Sequence, residues 1–200
     1  MYLRIPERHV PGPDAGYGSI SIDVTPPLST KLPDSRPTII YIGGILPPKE
    51  HALGRWHIDE LPDPQGEYKM RVAFVDLRGQ HGNPMTSALL FDPHYDNKDL
   101  AAIVSYLHSQ FPQSPLIAHS FSFVGPVILR YMSQSGARCP LHADVIFVPC
   151  VNIAKGLKAF HENPITHPGS KYSANAVREM YTAVADKFAG SETIRQSTRT

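Results

Sequence analysis

Two hundred residues, 42% of them hydrophobic and 18% charged, are enough for one soluble domain with a buried core. Nineteen basic against 18 acidic side chains leave a net charge of +1, with no cluster of one sign to mark a partner of nucleic acid or of an anionic membrane. No apolar run approaches the ~20 residues that span a bilayer, and Met1-Tyr2-Leu3-Arg4-Ile5-Pro6-Glu7-Arg8 has no apolar signal core, so a soluble intracellular protein without a transmembrane segment is the default expectation.

The first 37 residues are rich in proline and hold one alternating segment, Ser19 to Val24, which predicts an edge strand laid on the body. Thr38 to Ile42 is β-branched, too short for a helix and closed by Gly43-Gly44, the pattern of a buried strand. Ala52 to Asp59 could form a short helix before a second buried strand, Arg71 to Asp76. Asp96 or Asn97 then caps a helix whose Leu100, Ile103, Val104 and Leu107 share one face, with Pro112 barring its continuation.

A third strand, Pro115 to Ala118, leads through a polar-aromatic turn to a helix from about Gly125 to Ser133, with Pro126 near its start and Gly136 past its end. Asp144 to Val148 reads as a fourth strand, flanked by Cys139 and Cys150, two expected free thiols. Strands alternating with helices predict an α/β fold with a mostly parallel sheet flanked by helices. After breakers at Pro164, Pro168 and Gly169, a helix capped by Ser173 and stopped at Gly190 precedes a polar tail. The division expected is 1–37 as a proline-rich lead-in with an edge strand, 38–152 as the core, and 153–200 as the start of a helical, cap-like region.

Chemistry concentrates at the turn after the third strand, Ala118-His119-Ser120-Phe121-Ser122-Phe123-Val124-Gly125. A serine on a tight strand-to-helix turn is exposed at the top of a sheet, and the following N–H group and the helix N-terminus face a developing oxyanion. The pattern Gly-x-Ser-x-Gly is incomplete in either register: Ser120 and Val124 flank Ser122, and Ala118 and Ser122 flank Ser120.

Read without gaps, Asp76-Leu77-Arg78-Gly79, Gly82-Asn83-Pro84-Met85-Thr86-Ser87, Asp99-Leu100 and Phe111-Pro112-Gln113-Ser114-Pro115-Leu116-Ile117-Ala118 resemble one branch of the α/β-hydrolase esterases and lipases. It is the YheT-type or embryogenesis-associated branch, which includes monoacylglycerol lipases and medium-chain ester synthases. The resemblance is most specific between Asp76 and Asn152. It implies an incomplete α/β-hydrolase fold and a carboxylic ester or acylglycerol as substrate, with Ser122 as nucleophile; Ser120 is the alternative, in a register shifted by two residues where His119-Ser120-Phe121 resembles other hydrolases. It also implies an oxyanion hole from the loop at Gly44 and Ile45, with N–H groups of Ile45 and Phe123. Two departures stand out. The branch has a glycine where this chain has Val124, which should widen the turn or tilt the helix, and the loop's closing glycine is Pro47.

In this fold the order is Ser, then Asp or Glu, then His, and the chain is expected to end before the acid and the histidine. His142, His161 and His167 follow Ser122 but match no motif, and loss of triad members costs ~10⁴- to 10⁶-fold in rate. No metal and no cofactor is expected: His51 and His57 are six apart, off helical ligand spacing. Asp96 and Asp99 read as helix-start residues rather than an acid pair, and His119 as a hydrogen-bonded strand-end histidine. Two functions remain: a serine esterase, lipase or acyltransferase that is weak as this chain alone, or a degenerate, non-catalytic interaction module. In either case the apolar strand at Asp144 to Val148 is expected to meet a second copy or a partner chain at its edge.

Overall fold

The structure, a computed structural model, describes residues 3–4, 8–11, 17–33, 35–43, 70–76, 98–122, 124–147, 149 and 151–183. The four apolar runs form the parallel part of one sheet. β4 (Thr38–Ile42) lies between β5 (Arg71–Asp76) and β6 (Leu116–Phe121), and β6 pairs with β7 (Leu141–Phe147), all in the same direction. Every residue of β4 and β5 is buried, as continuous apolar strands between two covered faces require. β3 (Tyr17–Thr25) runs antiparallel on β5. Expected as an edge, it is itself flanked on its outer side by two short antiparallel strands, β1 (Leu3–Arg4) and β2 (Arg8–Pro11).

Parallel strands need long crossovers, and two of these are helices. α1 (Lys98–Gln110) joins β5 to β6, and α2 (Val124–Ser135) joins β6 to β7. Both pack on one face of the sheet, as two crossovers of the same hand in the same direction must. There Leu100, Ile103, Val104 and Leu107 of α1 and Val124, Val127, Ile128 and Tyr131 of α2 meet Ile20, Ile22, Val24, Ile40, Ile42, Ala73, Val75 and Ala118. Each fully buried valine, leucine or isoleucine of this set contributes roughly 1.5–3 kcal/mol by leaving water. A second, smaller cluster of Ile39, Tyr41, Val72 and Phe74 lies on the opposite face.

Arg71 ties the proline-rich lead-in to the base of the sheet. Its guanidinium donates to the carbonyls of Pro26 (3.1 Å), Pro27 (3.2 Å) and Thr30 (2.9 Å) and lies 4.1 Å over the Phe111 ring. Burial lowers its pKa from the ordinary value.

The C-terminal part departs from the expected breaks. α3 (Ile153–Glu162) starts at Asn152, whose side chain accepts the Lys155 N–H at 3.0 Å. α4 (His167–Ala183) begins well before the expected cap at Ser173, with Pro168 and Gly169 inside its first turn. Proline is tolerated there because first-turn N–H groups have no partner within a helix. The expected helix at Ala52 to Asp59, the cap at Asp96 or Asn97, Cys150 and the stop at Gly190 lie outside the described residues. Cys139 is a free thiol.

Candidate active site

The sheet order places β5 on one side of β4 and the later strand β6 on the other, so the chain reverses its direction of winding at β4. A crevice opens at such a point beyond the carboxyl ends of the strands, where α/β sheets bind their ligands. Ile42, the last residue of β4, is in register with Ser120, so the chain leaves β4 beside the end of β6. Ser122 is the first residue beyond β6, two before α2 begins.

Ser122 has a φ of +60°, and among the described residues it is the one non-glycine with positive φ. Serine enters that left-handed region only when its surroundings impose it, at a cost of about 1–3 kcal/mol. Here the constraints are visible on both sides. The Ser122 N–H is held at 2.9 Å by the carbonyl of Phe147 on β7, and the chain must turn from strand to helix within two residues.

Ser120 has a different environment. β6 runs on through Phe121, three residues past the expected end at Ala118, so Ser120 is a strand residue and is fully buried. Its hydroxyl donates to the Asp144 carboxylate, 3.0 Å from Oδ1 and 3.2 Å from Oδ2. Burial raises the Asp144 pKa to about 6, against the opposing effect of that hydrogen bond. His119, on the other face of β6, is 7% exposed and sits between two aromatic rings, 5.1 Å from Tyr41 and 5.0 Å from Phe147 by centroid. It belongs to a row of rings across the sheet that continues from Tyr41 to Phe74 at 5.7 Å.

Val124 opens α2 at 4% exposure with its side chain in the main core. The close approach of helix and strand falls at Gly125, where a β-carbon would come within 2.4 Å of Ile146 Cγ2 and 3.5 Å of Ser120 Oγ. Gly44, Ile45 and Phe123, the expected oxyanion residues, lie outside the described residues, as do His51, His57 and Asp96. Asp99 is in the first turn of α1. Among the described residues no three His, Cys, Asp or Glu gather as a metal site, and no helix is long and apolar enough to cross a membrane.

No family model matches the chain. By sequence it is similar to phospholipase ABHD3 of Mus musculus, 27% identical over 115 residues, and of Homo sapiens, 25% identical over 115 residues. The match takes in 56% of this chain and 26% of each relative, so it spans about a quarter of the curated relatives' length. Among solved structures, AqDC, which recognises and ring-cleaves the Pseudomonas quinolone signal, aligns with a TM-score of 0.52 at 13% identity over 84% of this chain and 56% of that one. DcsB in complex with its substrate analogue aligns with a TM-score of 0.51 at 22% identity, over 80% of this chain and 51% of that one.

The chain has the α/β-hydrolase fold, in part. In this structure β6, the Ser122 turn and α2 form one strand-turn-helix unit. The strain at Ser122 had no counterpart in the sequence pattern, which lacks the usual glycines. The Ser120–Asp144 pair was equally hidden, because it joins residues 24 apart across two strands.

Proposed function

We propose that this chain carries the nucleophile region of a serine hydrolase acting on carboxylic esters or acylglycerols, of the YheT-type branch, with Ser122 as the attacking residue. The observation that supports this reading most is the φ of +60° at Ser122, immediately after a buried parallel strand and ahead of a helix. Ser120 is the poorer candidate, because its hydroxyl is buried and already committed to Asp144.

In the reaction Ser122 Oγ adds to the acyl carbon as its proton passes to a general base, and the carbonyl oxygen becomes an oxyanion. The N–H groups of Ile45 and Phe123, with Gly44 giving room, would receive that charge. The histidines after Ser122 stand elsewhere: His142 on β7 with an exposed side chain, and His161 and His167 packed on each other at the α3–α4 corner. We therefore expect weak catalysis from these 200 residues alone.

A fluorophosphonate probe tests the assignment. Slow labelling that Ser122→Ala abolishes and Ser120→Ala leaves intact is the expected result. Labelling that survives Ser122→Ala would move the nucleophile elsewhere. A complete absence of labelling would favour a second reading, a non-catalytic hydrolase-like subunit, which draws support from the exposed Val145 (46%) and Phe147 (41%) on the outermost strand.

A further inference from the structure

The corner between α3 and α4 brings His161 and His167 together. Their ring centroids are 4.8 Å apart, with the planes at 60°. The corner itself is well fixed. Asn163 O accepts from the N–H groups of Thr166 (3.1 Å) and His167 (2.9 Å), its Oδ1 accepts from Ile165 N–H (2.9 Å), and Thr166 Oγ1 donates to Phe160 O (2.8 Å). Gly169 lets the two helices close, since a β-carbon there would come within 3.0 Å of the Phe160 ring.

Hydrogen bonding determines which nitrogen of each ring carries the proton. His167 Nδ1 lies 3.0 Å from the carbonyl of His161, and a carbonyl only accepts, so this nitrogen is the donor. The Ser170 hydroxyl donates to the His167 carbonyl at 2.8 Å, and its oxygen lies 3.5 Å from His161 Nδ1. In His167 the proton is then on Nδ1, and Nε2 is left with the lone pair. Metal-binding histidines are typically prepared this way, with the second nitrogen donating to a carbonyl or other outer-shell group.

The spacing also fits. Zinc–nitrogen bonds of about 2.0–2.1 Å put each ring centroid about 3.2 Å from the metal, so two rings at the tetrahedral angle stand about 5.2 Å apart. The observed 4.8 Å corresponds to an angle closed only to about 97° at that same bond length.

We propose that His161 and His167 bind one divalent transition-metal ion of the zinc class through their Nε2 atoms, with water in the remaining positions. His161 is exposed and His167 partly so, which leaves the ion an open path from solvent. The site is separate from Ser122 and does not depend on the hydrolase reading.

The test is calorimetric titration of the 200-residue chain with zinc chloride, beside long-range ¹H–¹⁵N spectra of the imidazoles. Saturable binding of one equivalent is expected, with both Nε2 resonances moving. His161→Ala and His167→Ala should each weaken it at least about tenfold, no less than the usual cost of losing an outer-shell partner. Retained affinity in the double variant His161→Ala/His167→Ala overturns the proposal. So does a wild-type chain that shows no saturable binding, or one in which only one of the two rings responds, and these two results need no substitution.

Discussion

Gly125 and Asp144 are the two residues on which the geometry under Ser122 makes the sharpest demands. At Gly125 helix propensity and packing oppose each other: alanine would favour α2 by about 1 kcal/mol, but its β-carbon would fall 2.4 Å from Ile146 Cγ2. That atom is on a β-branched side chain with little freedom to move. Packing should win, and Gly125→Ala should lower stability by about 1–3 kcal/mol in urea unfolding, with Ile146→Ala in the same chain recovering part of the loss. Unchanged stability would mean that helix and strand are not in such close contact. Asp144 makes a prediction in pH. Its pKa stands at about 6 when folded, mainly through burial, against an ordinary 3.8. Between those values the folded chain holds a proton that the unfolded chain has released. This contribution to stability is therefore complete below about pH 4 and is lost as pH rises through about 6. Unfolding measured from pH 4 to pH 7 should show that decline in the wild type, and a flatter profile in Asp144→Asn, whose amide oxygen still accepts from Ser120.

Among the elements, the strands were legible because each is a short β-branched run with a turn signal behind it. The parallel direction of β4, β5, β6 and β7 follows from crossover length. The end of β6 was not legible. His119 and Ser120 are polar, so periodicity places them in a turn, whereas β4 and β7 on either side carry the strand on to Phe121. This shift separates the two serines: Ser120 falls inside the sheet and Ser122 on the bend. The helices α3 and α4 were obscured by Pro164, Pro168 and Gly169, of which the last two are inside α4. The signal that could have found α3 is Asn152, a cap residue followed by a stretch without proline as far as Pro164. Its Oδ1 holds the Lys155 N–H at 3.0 Å, and Asn152→Ala should cost about 1 kcal/mol. Because α3 packs chiefly on α4, the loss should appear as faster amide exchange across residues 153–183, with β4 and β5 unchanged. Equal acceleration in the sheet would show that the hairpin and the sheet unfold together. The same corner explains why the histidine pair escaped the sequence reading: His161 and His167 are six apart, a spacing that no single helix brings to one face, and the break between α3 and α4 folds them together.

For the whole molecule, the sheet is protected unequally at its two margins. On one side β1 and β2 divide the outer edge of β3 between them. On the other, β7 ends the order, and among the described residues it has a strand neighbour only in β6. Val145 is 46% exposed there and Phe147 41%, both on the face where His119, Tyr41 and Phe74 form the aromatic row. An apolar outer strand presents open backbone donors and acceptors as well as side chains, and a second strand satisfies both at once in a way that a helix cannot. A contact with a second copy at this edge, one of the two expected of the strand, predicts that sedimentation of the 200-residue chain depends on concentration. A lysine on an exposed strand opposes edge pairing, so Val145→Lys should shift the equilibrium toward monomer without altering labelling at Ser122. The amides of β7 should exchange slowly at high protein concentration and faster on dilution. A monomer at every concentration, with β7 amides exchanging rapidly throughout, would show that the edge is tolerated bare and would remove self-association from the account of this chain.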